Sequence, residues 1–428
     1  MANKGRVAML MSGGVDSSVS AALLKEQGYD VIGFYILGWL GTPDFPCPWQ
    51  KEEADARAVA DQLGIPFHTI NLSKVYEKEV IDRFFAGYQA GVTPNPDILC
   101  NREIKFKALW QEIRQFECDY IASGHYASTQ PVASSLKQLA NNADTKKPVA
   151  SSQLPVAGIF KPKDSAKDQT YFLWGIEPAM LPKIIFPLSE LTKPEVRQLA
   201  KKYKLPTATK KDSQGICFVG PLKVRQFLAS RVKTKPGEVY LIDGRKVATH
   251  QGVELYTIGQ RLAAGSVDWT GDVPPLFVIA KDIKNNRLIV RSDAQTYGKY
   301  LEAGSINWLA SSPVERLTES PGSVKNEKLK TGNCSPAVAL AKAGKLKTGI
   351  ELLAKIRYRQ EDVPVKVLKI SSRLSVEFCQ KARAITAGQS IVFYSKEGQL
   401  LGGGIIERVA EQDAIIQRLT QTLGQAKV

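Results

Sequence analysis

The sequence predicts an α/β domain built on a parallel sheet, followed by a small β-rich domain and a C-terminal β-barrel. Residues 1–125 alternate short apolar runs with helical patterns, a rhythm typical of parallel strands covered by helices. From residue 235 short strands replace the helical patterns, and from about residue 301 alternating runs suggest a Greek-key barrel. A chain of 428 residues also exceeds one ordinary domain. We therefore predict domains at 1–222, 223–298 and 299–428.

The first element is a buried strand, Val7 to Met11, which runs into the turn Ser12-Gly13-Gly14. Glycine takes a positive φ without steric cost, so this turn is tight. Asp16 or Ser17 is expected to cap a helix over Ser18 to Gln27. A glycine turn that feeds a helix presents backbone N–H groups to an anion. The spacing matches neither the Walker phosphate loop, which needs a following lysine, nor the Gly-x-Gly-x-x-Gly dinucleotide loop.

The rest of the sheet follows in chain order. Strands are predicted at Val31–Leu37, Pro66–Leu72 and Tyr120–Ser123, with helices at Glu52–Leu63 and Glu103–Phe116. Ligands of open parallel sheets bind at the carboxyl ends of the strands. Because the fourth strand ends at Gly124, we expect Gly124 and the first glycine turn to share one cleft.

A stiff loop precedes the first unusual cysteine. Two prolines separated by one residue exclude helix up to Pro96, after which Asp97 or Asn101 is expected to cap a helix. Cys100 lies near this helix N-terminus and close to Lys105, so we expect a lowered thiol pKa. The alternative is a small buried filler, which is the commoner role of a lone cysteine.

A second unusual cysteine, Cys217, lies in a glycine turn beside Lys210 and Lys211, which again favours a thiolate, but a strand-edge cysteine beside Phe218 is the alternative and the local pattern does not decide between them. Before it, residues 128–165 are rich in Ser, Gln, Asn and Lys and are predicted to be a solvated insertion. A helix capped at Thr192 or Lys193 is predicted to run to about residue 203, and another to cover 222–232.

The C-terminal half is predicted to be strands. They cover 237–244, 256–261, 276–281 and 287–292 in the central domain, and 353–358, 363–370 and 390–394 in the barrel. Residues 313–348 form a second predicted insertion, and a short helix is expected after residue 412.

Composition and charge limit the partners and the cellular compartment that fit the sequence. The formal net charge of +16 and the pI of about 9.4 suit a polyanionic partner, although solubility alone would also explain them. No window of about 18 apolar residues indicates a membrane span, and the first strand leaves no room for a signal peptide. The six cysteines form no Cys-x-x-Cys pair, which disfavours zinc and a secreted disulfide scaffold and fits the cytoplasm.

The turn Ser12-Gly13-Gly14-Val15-Asp16-Ser17 resembles the pyrophosphate loop (PP-loop) of the ATP-pyrophosphatase superfamily, whose members cleave ATP between the α- and β-phosphates. Over its whole length the chain resembles the bacterial tRNA-specific 2-thiouridylases, the MnmA type. Besides the glycine loop, the matching segments are 93–101, 123–127, 167–173, 213–218, 256–261 and 355–359. Only the two insertions lie outside this match.

The resemblance implies a fold and an activity. The fold would be an adenine-nucleotide α-hydrolase-like domain, a central β-domain and a C-terminal β-barrel. The activity would be ATP-dependent replacement of oxygen by sulfur at carbon 2 of the wobble uridine in glutamate, glutamine and lysine tRNAs. Magnesium would accompany ATP, and a cysteine desulfurase or relay protein would donate persulfide sulfur to a monomeric enzyme.

The resemblance also assigns residues. The ATP site would comprise Leu10, Met11, Ser12, Gly13, Gly14, Val15, Asp16, Ser17, Ile36 and Gly124. The target base and tRNA would be contacted by Asn95, Pro96, Asp97, Lys167, Asp168, Gln169, Arg357 and Tyr358. Cys100 would be the nucleophile and Cys217 the persulfide carrier, ending the cycle as a Cys100–Cys217 disulfide, with Asp97 as acid/base or as a base-positioning group.

Some positions depart from the family or stay open. Ile36 replaces a usual methionine, and residues 261–265 lack the usual Arg-Lys-Gly-Leu-Gly. Cys47 is predicted to be structural, His68 and His250 likewise, and His125 to hold its loop rather than to touch phosphate. The alternatives are an amide-forming or argininosuccinate-type ligase, a non-catalytic RNA-binding module, and an iron–sulfur cluster held by Cys100, Cys217 and Asp97.

Overall fold

The structure is a computed structural model of the 428-residue chain. It describes residues 4–131, 157–212, 215, 217–219, 224–262, 267–269, 275–292, 297–309, 350–370 and 372–425. Both cysteines singled out above fall within these ranges, whereas residues 132–156 and 310–349, the greater part of the two predicted insertions, lie outside them.

The N-terminal domain is built on a five-stranded sheet in which every pairing is parallel. The strand order is Phe67–Asn71, Asp30–Leu37, Arg6–Leu10, Tyr120–Ala122, Ile184–Ile185. The predicted parallel sheet is therefore confirmed, and the first strand occupies its centre. The short fifth strand escaped prediction because two isoleucines carry no period.

Helices cover the sheet and connect its strands. The α-helices of this domain are Val15–Glu26, Trp49–Leu63, Ser73–Tyr76, Arg83–Gln89, Pro96–Leu99, Leu109–Glu112 and Lys193–Lys202. Two π-helical stretches, Glu77–Asp82 and Cys100–Ala108, join neighbouring helices into longer rods, and the 3₁₀ turn Ile113–Phe116 ends the second rod. The rod Pro96–Phe116 thus begins well before the predicted start at Glu103.

The first predicted insertion is too wide. Ser128–Pro131 and Ala157–Phe160 are paired antiparallel strands, and the second pairs with Gln399–Val409 of the C-terminal barrel. The polar composition of this segment gave no sign of a strand pair that joins the first domain to the barrel, because cross-strand pairing depends on a partner far away in the sequence.

The central domain is a five-stranded mixed sheet. Its order is Val267–Trp269, Lys246–His250, Gly237–Leu241, Arg287–Arg291, Phe277–Asp282. The strand predicted at 256–261 is wrong, since Tyr256 to Gln260 form a turn in which Gly259 has φ +82°. The helix Val224–Ala229 precedes this sheet and ends before the predicted residue 232, while residues 222–223 lie outside the described ranges.

Six strands close the predicted C-terminal barrel. In order around it they are Tyr297–Trp308, Leu374–Arg383, Val363–Ile370, Ile350–Lys355, Ser390–Tyr394 and Gln399–Val409, and the last pairs with the first. The helix Ala410–Gln425 then packs Leu419 against Tyr240 and Ile289 of the central sheet. The barrel begins at Tyr297, and the predicted division of the chain at 222/223 and 298/299 remains a prediction.

A buried ion pair ties the first domain to the barrel. The Lys355 ammonium lies 2.9 Å from Oδ2 of Asp168, and both residues are less than 10% exposed. The other oxygen, Oδ1, accepts hydrogen bonds from the backbone N–H and the hydroxyl of Thr170 at 3.0 and 2.6 Å. Asp168 is therefore fully partnered inside the protein.

Asp168→Ala is expected to lower the free energy of unfolding by about 2–4 kcal/mol, because it removes the nearer carboxylate of the buried Lys355 ammonium and leaves it only Asp362, 3.8 Å away. The matched control, Glu238→Ala, removes an exposed partner of Lys246 and should cost less than about 1 kcal/mol. Urea denaturation measures both. Equal, small losses would show that the buried pair contributes little to stability.

Candidate active site

The conformation of the glycine turn after the central strand is fixed by its backbone and by the Ser17 side chain. Gly13 has φ +70°, and a Cβ added there would lie 2.3 Å from the carbonyl oxygen of Glu52. The Ser17 hydroxyl accepts from the N–H of Ser12 at 3.2 Å and donates to the carbonyl of Gly14 at 3.0 Å. The helix Val15–Glu26 starts directly after Gly14, so the predicted caps Asp16 and Ser17 lie inside the first turn instead.

Two strand ends meet at this turn, as predicted. A Cβ added at Gly124 would lie 2.8 Å from the backbone nitrogen of Ser17, so only glycine allows this approach. Leu10, Val15 and Ile36, which the resemblance assigns to the ATP site, are buried in the hydrophobic core. The turn and the helix start form a concave set of N–H groups suited to phosphate.

Gly13→Ala is expected to weaken ATP binding by about tenfold or more, since alanine resists the positive φ and clashes with the backbone of Glu52. Gly28→Ala is the matched control, because Gly28 has φ +87° but no atom within 4 Å of the added Cβ. Calorimetric titration with ATP measures the effect. Equal affinities in the two variants would contradict an ATP site at this turn.

An ion-pair network that the sequence did not reveal borders the loop. The Lys193 ammonium lies 2.7 and 2.8 Å from the two carboxylate oxygens of Asp16, and 2.8 Å from Asp212. The Tyr126 hydroxyl donates to Asp16 at 3.0 Å. Lys193 is the first residue of its helix, which is capped by the reciprocal side-chain and backbone bonds of Thr192 and Glu195.

The second centre combines Cys100 with Cys217. Asn95 caps the helix Pro96–Leu99 by accepting from the N–H of Asp97 at 3.1 Å, which corrects the predicted caps Asp97 and Asn101. Cys100 follows this helix and is fully buried. The structure brings the Cys217 sulfur to it, and the two side chains share a hydrogen bond while both thiols remain free.

Three hydrogen bonds hold the turn that carries Cys217. The N–H of Cys217 donates to Oδ1 of Asp97 at 3.2 Å, and the Tyr76 hydroxyl donates to the Cys217 carbonyl. The thiol of Cys47 donates to the carbonyl of Phe218 at 3.1 Å. The Phe218 ring covers Gly38, where an added Cβ would lie 2.8 Å from it. Cys47 and Tyr76 thus support the sulfur site from outside it.

The pKa shifts of Cys100 and Cys217 have opposite directions, and only the shift at Cys217 has the predicted sign. Burial, followed by the hydrogen bond to Cys217, raises the pKa of Cys100 well above its usual value, so the predicted lowered pKa at Cys100 is wrong. The hydrogen bond from Cys100 and the nearby Lys105 ammonium lower the pKa of Cys217 against its burial, which is the direction that favours a thiolate. The two pKa shifts are thus opposite in sign: they favour the neutral thiol at Cys100 and the thiolate at Cys217.

Lys105 is the cation of this centre. Burial opposes its charge, but Cys217, Cys100 and Asp97 raise its pKa. Its ammonium also lies 3.4 Å from Nε2 of His125. Burial and Lys105 lower the pKa of His125, so its neutral ring accepts from Lys105 and donates from Nδ1 to the Ser123 hydroxyl at 2.8 Å.

Asp97 lies at the same centre, and the pKa of its carboxyl group is shifted. Burial raises the pKa of its carboxyl group, against the hydrogen bond from Cys217 and the charge of Lys105. A carboxyl group with a raised pKa exchanges protons nearer to neutral pH, which suits acid/base work.

The other histidines have structural partners. The His68 ring packs between Phe34 and Phe116, with centroids 5.7 and 4.6 Å away. His250 accepts at Nδ1 from the N–H of Gly252 at 3.0 Å, and burial lowers its pKa to about 4.

The residues assigned to tRNA contact already make contacts within the protein. Lys167 pairs with Asp212 at 2.8 Å, and the Gln169 side chain accepts from the N–H of Tyr126 at 2.9 Å. One guanidinium nitrogen of Arg357 donates to the Ile258 and Ala384 carbonyls and to the Thr386 hydroxyl at 3.0–3.1 Å, which links the central domain to the barrel. The Tyr358 ring packs on Phe172 with centroids 4.5 Å apart.

Within the described ranges, no three His, Cys, Asp or Glu side chains come close enough together to hold a metal ion. Cys100, Cys217 and Asp97 thus do not form the three-ligand set expected for an iron–sulfur cluster, and we derive no step through one. Among the described helices, none combines the length and apolarity needed to cross a bilayer.

Family models match all three parts of the chain. Residues 5–221 match the tRNA methyl transferase HUP domain, residues 225–292 the tRNA methyl transferase PRC-barrel domain, and residues 333–406 the aminomethyltransferase β-barrel domain. Together with the glycine loop and the thiol pair, these matches define a tRNA-modifying enzyme.

Curated relatives give the family within that class. The chain is 39% identical over 414 residues to a tRNA-specific 2-thiouridylase MnmA of Streptococcus agalactiae serotype Ia, covering 96% of this chain and 98% of the relative. It is 40% identical over 417 residues to the Streptococcus mutans enzyme of the same name, covering 97% and 98%. The chain belongs to the MnmA family of tRNA-specific 2-thiouridylases, which are tRNA sulfurtransferases.

Solved structures are less similar. The U34-tRNA thiolase NcsA of Methanococcus maripaludis with its [4Fe-4S] cluster aligns at a TM-score of 0.31 and 18% identity, covering 53% of this chain and 65% of that one. A 4-thiouridine synthetase–RNA complex with bound ATP aligns at 0.30 and 16%, covering 53% and 50%.

Proposed function

We propose that the protein uses ATP to replace the carbon-2 oxygen of the wobble uridine by sulfur in glutamate, glutamine and lysine tRNAs. AMP and pyrophosphate are the by-products. The observation that carries this proposal is the pairing of the buried Cys100 thiol with the Cys217 side chain, whose pKa is lowered, beside Lys105, in a domain whose glycine turn suits a triphosphate.

The first step makes the uridine oxygen a leaving group. The carbon-2 oxygen attacks the α-phosphate of ATP, the bond to the β-phosphate breaks, and pyrophosphate leaves. The N–H groups of the glycine turn stabilise the charge that develops on the phosphates. Magnesium bound with ATP would neutralise further phosphate charge, and Asp16 would hold it only by giving up its bonds to Lys193.

Asn95, Pro96 and Asp97 are assigned to the target base. The uridine loses its N3 proton when its oxygen is adenylated, and Asp97, with its raised pKa, is the group we assign to accept it. A wobble base can be turned out of the anticodon stack to reach a recessed site of this kind.

Sulfur enters through Cys217. Its thiolate attacks the terminal sulfur of a donor persulfide, from a cysteine desulfurase or a relay protein, and releases the donor thiolate. The Cys100 thiol then gives its proton to the outer sulfur of the persulfide and attacks Cys217 Sγ, which breaks the persulfide bond. The outer sulfur leaves with the electron pair, attacks carbon 2 of the uridine and expels AMP. A Cys100–Cys217 disulfide remains, and a dithiol reductant must reopen it.

Lys167, Gln169, Arg357 and Tyr358 are assigned to the tRNA, and Asp168 supports them through its pair with Lys355. The net charge of +16 supplies salt-dependent attraction to the phosphate backbone. We propose that one copy of the chain acts on one tRNA.

The test is mass spectrometry of wobble nucleosides from a strain that lacks this protein. We expect 2-thiouridine to disappear from the glutamate, glutamine and lysine tRNAs and to return with the intact gene but not with a Cys217→Ser copy. Normal thiolation in the deletion strain would overturn the proposal. Loss confined to some of these tRNAs would correct the proposed substrate set.

A further inference from the structure

Thr93, which lies in the first domain two residues before Asn95, is held by the two other domains. It is 7% exposed. Its N–H donates to the carbonyl of Ala387 at 2.9 Å, and its carbonyl accepts from Nε2 of Gln389 at 2.8 Å, both in the barrel. Its hydroxyl lies 3.1 Å from the hydroxyl of Thr257 in the central domain. Every polar group of Thr93 is therefore bonded by another domain.

The backbone of this junction is closely packed. Gly388 of the barrel has φ +88°, and a Cβ added there would lie 2.7 Å from the backbone nitrogen of Thr93. Pro94 packs against the helix Arg83–Gln89, since a Cβ added at Gly87 would lie 2.8 Å from its Cγ. The ring of Pro94 also fixes its own φ. Thr93 and Pro94 thus have little freedom to move while the three domains stay together.

Only a short, stiff segment separates the junction from the sulfur site. Asn95 caps the helix Pro96–Leu99, and Cys100 follows that helix directly. Asp97, in the first turn of the helix, accepts from the N–H of Cys217 at 3.2 Å. A proline at the first helical position and a capping side chain both restrict the backbone at the helix start. The position of the junction therefore fixes where the Cys100 sulfur and the Asp97 carboxyl group meet Cys217.

One arginine connects the two loops that hold Thr93. A guanidinium nitrogen of Arg357 donates to the Ile258 carbonyl and to two oxygens of the barrel loop 384–389 at 3.0–3.1 Å. Ile258 is adjacent to Thr257, and the barrel loop supplies the other two bonds to Thr93. The loops of the two domains are thus bonded to each other as well as to Thr93, so they hold it as one unit.

We propose that Thr257 and Gln389 are positioning residues of the sulfur site, which set the geometry of Cys100 against Cys217 through Thr93. The central domain and the barrel thus complete a site whose two thiols belong to the first domain. Neither residue contacts a thiol in the described bonds, and both act through the segment that follows Thr93. The inference rests on the proposed use of the thiol pair, but the geometry of the pair can be measured without the reaction.

The first test is the pH profile of iodoacetamide labelling at Cys217 in the full chain, without ATP or tRNA. The titratable groups that face Cys217 most closely are Cys100, Lys105 and Asp97. Gln389→Met keeps the length of the side chain but cannot donate to Thr93, so the Cys100 thiol moves away from Cys217. Because the bond from Cys100 lowers the pKa of Cys217, the midpoint of the profile is expected to rise by about 0.5 or more. Thr257→Val is expected to shift it in the same direction.

Gln62→Met is the matched control. The Gln62 amide also donates to main-chain carbonyls distant in sequence, those of Tyr203 and Lys204 at 2.9 and 3.2 Å, but it makes no described bond to Thr93. Its labelling profile should coincide with that of the wild type. An equal shift in Gln62→Met would show that the effect is not specific to the junction and would overturn the inference.

A second test separates positioning from binding. With saturating ATP and tRNA, single-turnover thiolation by Gln389→Met is expected to be about tenfold slower or more, because a small displacement of reacting groups strongly reduces the rate. The affinity for tRNA should stay within about twofold of the wild-type value. Weaker tRNA binding with an unchanged rate at saturation would contradict a positioning role.

A labelling profile of folded Gln389→Met that coincides with the wild-type profile would overturn the inference. Thermal unfolding establishes that the variant is folded, and Thr257→Val decides the question if Gln389→Met is not. Thiolation by the wild type with unshifted profiles in the variants removes this inference alone. Shifted profiles without any thiolation by the wild type remove only the proposed product.

Discussion

Cys217→Ser is expected to reduce formation of 2-thiouridine by at least about three orders of magnitude, because serine cannot carry a persulfide. Release of pyrophosphate from ATP in the presence of tRNA should continue, since adenylation of the base does not use the sulfur. Single-turnover reactions with ATP, tRNA and a persulfide donor measure both products. The variant thus separates activation of the base from sulfur transfer.

Cys100→Ser is expected to lose thiolation to the same extent but to keep loading of Cys217 with persulfide, which intact-protein mass spectrometry detects. The double variant should be no worse than either single one, because the two thiols act as a unit. Cys118→Ser is the control, since the Cys118 thiol bonds only the Phe116 carbonyl within the described contacts. Retained activity in either serine variant of the pair would favour a ligase instead.

Lys105→Met is expected to raise the pKa of the Cys217 thiol, because the cation that favours the thiolate is removed. The sign follows from the charge: with a higher pKa the thiolate forms only at higher pH, so reactivity below that pH falls. Each unit of pKa costs about a tenfold loss of thiolate. We expect the rate of Cys217 alkylation at neutral pH to fall by about 10- to 100-fold.

The pH profile of iodoacetamide labelling at Cys217, followed by peptide mass spectrometry, measures this shift. Lys107→Met is the matched control, because Lys107 lies two residues further along and pairs with Glu103 at an exposed site. Its profile should coincide with that of the wild type. A Lys105→Met profile that also coincides would show that Lys105 does not set the charge of Cys217.

The glycine turn could be predicted because its determinants are local. Gly13 takes the positive φ that the Ser12-Gly13-Gly14 pattern indicates, and the parallel sheet places Gly124 beside Ser17 as the strand order requires. The parallel sheet itself followed from the alternation of strands and helices. Both inferences use only residues that are neighbours in sequence or the general rules of parallel sheets.

The charge of the cysteine pair could not be predicted from neighbours in sequence. A helix N-terminus beside basic residues indicates a thiolate at Cys100, but complete burial outweighs both effects. The pKa is lowered instead at Cys217, because Cys100 donates to it and Lys105 lies close by. These contacts join elements that are distant in the chain, and no local pattern records them.

The network around Lys193 was missed for the same reason. Its partners Asp16 and Asp212 lie far away in sequence, and a lysine at the start of an amphipathic helix ordinarily indicates a solvated face. The Pro194 and Glu195 capping pattern correctly indicated where the helix begins. It did not indicate what the first side chain contacts.

The central claim is that ATP makes the carbon-2 oxygen of uridine the leaving group that sulfur replaces. The most direct measurement uses tRNA carrying ¹⁸O at carbon 2 of the wobble uridine, followed by mass spectrometry of the AMP released during thiolation. We expect one ¹⁸O atom in each AMP, because that oxygen stays on the α-phosphate. Unlabelled AMP alongside newly formed 2-thiouridine would contradict the account.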